Sequence, residues 1–176
     1  MKIIKEHINE KFTEESDPIE DMGIGVNSKL KEYLKNILNL NNINDINNYT
    51  FGEHLKGYDA VLCKIIHDKV KRYDIIHFLL ASNLANPKSH HSLCLRWAAA
   101  NGDINIMKML IEFGANASDG DMGNSLDCAI TYDERGAAKY LINLGVKPDT
   151  SLPIEIKNLF QNDPNFIEEL KKQNII

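Results

Sequence analysis

The 176 residues hold only three cysteines, and Cys63, Cys94 and Cys128 show no C-x-x-C spacing. An odd number without paired spacing argues against a disulfide framework and predicts free thiols in a reducing compartment. Long apolar runs are missing as well. No stretch approaches the roughly 20 residues needed to span a bilayer, and no secretory apolar core is present. The expectation is a soluble, cytoplasmic protein with no membrane partner. Basic charge is scarce: 20 Lys and Arg against 25 Asp and Glu leave a net charge of −5. Residues 101–140 carry no stripe of Lys and Arg, which argues against nucleic acid as a partner, since phosphate binding needs clustered cations.

Motifs that carry chemistry are also missing. There is no G-x-G-x-x-G, no Walker A loop, and no H-x-x-x-H to supply zinc geometry. Of the six histidines only His90 and His91 are adjacent, and neighbours in sequence rarely point at one ion. The reading is therefore a non-enzymatic protein with no catalytic residues, metal or cofactor.

What the chain does contain is helical periodicity. Leu93 to Ala115 reads as two short amphipathic helices that meet at Asn101-Gly102-Asp103, with Gly114 as a closing C-cap glycine. Ile104, Ile106, Met107, Leu110 and Ile111 give the second helix a broad apolar face that one such unit cannot bury alone. A second unit must follow. It does, as Leu126 to Ile130 and Ala137 to Leu144, closed by Gly145-Val146 with Gly145 31 residues after Gly114. A more divergent pair lies between Phe51 and Ser82, built on Ala60, Val61, Ile65 and Ile66, then Ile75, Ile76, Phe78, Leu79 and Leu80. Around these units, Ser28 to Asn39 reads as a helix and Asn36 to Asn48 as a connector anchored by Ile43 and Ile46. Leu152 to Phe160 and Phe166 to Leu170 read as two closing helices, with Pro153 and Pro164 near their first turns.

Leu95, Arg96, Trp97, Ala98 and Ala99, the turn glycine Gly102 and the closing Gly114-Ala115 resemble the ankyrin repeat, whose inner helix reads T-P-L-H-x-A-A. The resemblance implies an all-α fold: a short ankyrin-repeat solenoid of about three repeats with helical N- and C-terminal caps. Its divisions would be an arm and capping helix over 1–50, repeats over 51–150 and capping helices over 151–176. The same register places Cys94 and Cys128 at small buried positions of inner helices and Trp97 as a wedge between repeats. Arg96 and Asp127 replace the family's His, and an ion pair between them is expected to stand in for its bracing of the hairpins.

The function implied is a protein–protein interaction module that binds a partner protein through the concave ankyrin face. Matched to that face, the partner-binding residues are His90, His91, Asn101, Asp119, Asp121, Met122, Thr131, Tyr132 and Lys147. Two other classes stand beside this one: a small-molecule or nucleotide binding and sequestering protein, and a minor virion component. Phe12 to Gly25, FTEESDPIEDMGIG, resembles the N-termini of small uncharacterised proteins of large tailed phages, which implies a viral factor acting on a host protein in the bacterial cytoplasm.

Overall fold

Short apolar stripes at helical spacing, each ended by a turn residue, set the architecture. The computed structural model describes residues 32–36, 38–120, 123–149 and 153–176. The arm at 12–25, the start of the helix expected from Ser28, and Asp121 and Met122 lie outside the described residues. Residues 32–36 are helical and seat Leu34 in the core; the Asn-rich connector winds into a 3-10 turn over Ile43–Asn48, which buries Ile46. A hairpin of two-residue strands follows, β1 (Thr50–Phe51) and β2 (Leu55–Lys56), antiparallel with Phe51 opposite Leu55.

Among the described residues eight α-helices come next, in pairs: α1 (Gly57–His67) with α2 (Tyr73–Ala81), α3 (Ser89–Ala100) with α4 (Ile104–Glu112), α5 (Ser125–Thr131) with α6 (Arg135–Asn143), and α7 (Pro153–Leu159) with α8 (Pro164–Lys172). The inner helices α1, α3, α5 and α7 pack in file, while α2, α4 and α6 form an outer file behind them. This is an all-α repeat array, in which each unit buries its apolar face only against its neighbours.

Side-chain caps define the N-terminal boundaries of α4, α5 and α8. Asp103 accepts the N–H of Ile106 at the head of α4, Asp163 accepts that of Phe166 at the head of α8, and Asn124 and Asp127 form a reciprocal capping box on α5. Pro164 opens α8, where its missing N–H leaves no bond unmade. Small residues let the helices approach: Ala98, Ala99 and Ala129 of the inner file and Ala137 and Ala138 of the outer one are fully buried beside Leu95, Leu110, Leu126 and Leu141.

The structure sets the register of the first inner helix, for which the sequence offered no match to the repeat wording. Turn hydrogen bonds align Ile65 and Ile66 with Ala98 and Ala99, since Val70 N–H donates to Ile65 O as Asp103 N–H does to Ala98 O. Leu62, Cys63, Lys64, Ile65 and Ile66 therefore match Leu95 to Ala99 and Leu126 to Ile130. The turn after α1 spans 68–72, two residues longer than 101–103 and 132–134, which shifts this match from a spacing of 31 residues in the outer file to 33 in the inner one.

Gly102 sits in the left-handed region at φ +71, where the turn reverses, and a Cβ built there runs into the carboxylate of Glu134. That carboxylate is the free end of a flexible side chain, so the backbone term dominates. Gly102→Ala is expected to lose about 1–2 kcal/mol in urea denaturation. The loss should persist nearly unchanged in a Glu134→Ala background; full recovery there would show that the clash, not the backbone, is responsible.

Candidate partner-binding face

The head of α3 departs from right-handed helix. His90, His91 and Ser92 have φ of 48°, 54° and 54°, three left-handed residues in succession, none of them glycine. Each such residue is disfavoured by about 1–2 kcal/mol, so the surroundings must hold the segment in place. Ser92 Oγ accepts the N–H of Asn116 at 3.0 Å, and Arg96 Nη2 donates to the carbonyl of His90 at 3.2 Å. His91 Nδ1 lies 3.1 Å from Asp119 Oδ1 on the next hairpin, and the His90 ring stacks on that of His54 at 5.6 Å. The result is a fixed tip that presents two exposed imidazoles.

Each inner-helix head is tied to the hairpin that follows it. Ser92 does this for Asn116; Asn124 Nδ2 donates to the carbonyl of Lys147 at 2.7 Å. Asp127 accepts from the N–H groups of Asn124 at 2.8 Å and Asp149 at 3.0 Å. Asp127 thus braces the following hairpin through backbone amides.

Of the residues expected to touch a partner, the structure brings His90, His91 and Asp119 together on one side, with Lys147 exposed on the hairpin beyond. Thr131 and Tyr132 are also exposed, Tyr132 by 56% of its surface, but at the C-terminal end of α5. The right-handed part of an inner helix, such as 93–100, separates the two sides by about 12 Å. Asn101, the half-buried C-cap of α3, lies on the same side as Tyr132, the C-cap of α5. Its Nδ2 donates to the carbonyl of Ile66 at 2.6 Å, closing the last turn of α1 across the repeat boundary. Asn101→Ala removes this donor while Lys69 N–H still bonds the same carbonyl, and is expected to lose about 0.5–1.5 kcal/mol, read as a lower Tm.

Two further histidines, which sequence reasoning did not place here, adjoin these residues. His54 carries the stack under His90, and His67 sits edge-on to Trp97 at 4.5 Å and to Phe51 at 5.3 Å. Trp97 is half-buried against the core, as a wedge between repeats should be, with an aromatic row leading from it to the first hairpin. No motif joins these positions; only the stacking of one repeat on the next does.

The thiols are not poised as nucleophiles. All three cysteines are free. Burial, then the neighbouring Cys63, pushes the Cys94 thiol well above its ordinary value, and burial raises that of Cys128. Among the described residues, no group of three or more His, Cys, Asp or Glu is placed to hold a metal ion, and no helix is long and apolar enough to cross a membrane.

A family model described as ankyrin repeats, in three copies, matches residues 62–151, just over half of the chain. It begins at Leu62, the first residue of the inner-helix register found in α1. No curated protein and no solved structure matches the chain.

Proposed function

The chain belongs to the ankyrin-repeat family, and from that premise we propose that it grips a partner protein along the face running from the His90-His91 tip to Tyr132. Ankyrin repeats are in general protein–protein interaction modules. The observation that carries the proposal is the left-handed tip, where three residues in a disfavoured backbone are held so that two imidazoles face solvent. Strain maintained by surrounding contacts is typical of recognition sites, where a ready-made shape avoids the ordering cost of binding. Tyr132 adds an exposed aromatic of the kind that anchors interfaces, and Lys147 and Asp119 add charge of both signs. The partner is a protein with a complementary polar rim and an apolar slot for one aromatic ring.

The test compares partner capture by the native chain with that by His90→Ala/His91→Ala and by Tyr132→Ala. Each variant should lose at least tenfold in affinity, about 1.4 kcal/mol, with the helical spectrum retained. Retention of full affinity by both variants would place the contact elsewhere on the molecule.

A further inference from the structure

We propose that Cys63 and Cys94 form an intrachain disulfide that locks the first repeat onto the second. Their Sγ atoms lie 2.7 Å apart, both side chains are buried, and they stand on the adjacent inner helices α1 and α3. Closing to the bonded distance needs a movement of about 0.7 Å.

The register of α1 explains why the sulfurs meet. Cys63 occupies the slot held by Asp127 two repeats later, and Asp127 reaches forward to the hairpin of the next unit. Cys63 reaches forward in the same way and finds Cys94, two residues ahead of the matching slot in its own repeat. Cys128 stands one residue past that slot and remains outside the pair.

The bond needs a two-electron oxidant, and a small disulfide of the oxidised-glutathione class is sufficient. One protein thiol, as its thiolate, attacks a sulfur of that disulfide and releases one glutathione thiolate, leaving a mixed disulfide. The second protein thiol loses its proton and displaces the remaining glutathione. Two protein thiols are oxidised, one small disulfide is reduced to two thiols, and atoms and electrons balance. Because the pair is buried, exchange takes place while the first two repeats are open, and the closed array then shields the bond from reductant. In reducing surroundings the free thiols persist. The proposal is independent of which face binds a partner.

The experiment holds the full chain in a mixture of oxidised and reduced glutathione at urea just below its unfolding midpoint. Urea is then removed, free thiols are alkylated, and the non-reduced digest is weighed by mass spectrometry. The expected result is one linked peptide pair joining Cys63 to Cys94, lighter by two hydrogens than the separate thiols, with Cys128 alkylated. The oxidised form should melt several degrees above the reduced form. Cys128→Ser should keep both the link and the Tm difference, while Cys63→Ser should abolish them. Alkylation of both Cys63 and Cys94, glutathione adducts alone, a bond to Cys128 or between chains, or a Tm difference that survives in Cys63→Ser would each overturn the proposal.

Discussion

Leu95→Ala is expected to lower stability by about 2–5 kcal/mol, a large part of the roughly 5–15 kcal/mol that holds a domain of this kind together. Leu95 is fully buried on α3, the inner helix that packs against α1 before it, α5 after it and α4 behind it. Its removal leaves a cavity where no neighbour can move without opening a second interface. Urea denaturation should show a lower midpoint with one cooperative transition. Leu170→Ala deletes the same atoms from an equally buried position on α8, at the end of the file. In an array whose units touch only their neighbours, that loss should stay local. Faster hydrogen exchange confined to α7 and α8, with the remaining helices protected, is the expected signature. Equal loss of protection across the whole chain in Leu170→Ala would mean that the array does not behave as a file of coupled units.

Asp127→Ala should come next in size, at about 2–4 kcal/mol. The carboxylate accepts the N–H groups of Asn124 and Asp149, and the side chain is nearly inaccessible to water. Truncation leaves both amides without that acceptor, each at a loss of about 1–3 kcal/mol. It also opens half of the capping box on α5 and the tie from that helix to the following hairpin. Asp127→Asn keeps an oxygen acceptor in place and should lose clearly less in thermal denaturation. If the two substitutions are equally harmful, the negative charge matters more than the hydrogen bonds.

The helix pairs and the turn glycines were legible in the sequence because each depends on residues within one or two turns of the chain. Leu95, Leu110, Leu126 and Leu141 announce a buried stripe by spacing alone, and Gly102, Gly114 and Gly145 mark the reversals that need positive φ. The resemblance of Leu95 to Ala99 extended that local pattern to a family. The first repeat was the exception, since a turn two residues longer at 68–72 displaces Leu62 to Ile66 from the spacing kept by the outer helices. What tertiary structure alone decided is every relation between one repeat and the next. Asn101 bonds the last turn of α1, His54 stacks on His90, His67 meets Trp97 edge-on, and Cys63 and Cys94, far apart in sequence, meet. The left-handed backbone of His90 to Ser92 belongs with them, because contacts from Asn116, Asp119, His54 and Arg96 hold a conformation that the local sequence disfavours. Local periodicity records which face of a helix is buried; only the packing of successive repeats determines which residue of the neighbouring unit that face will meet.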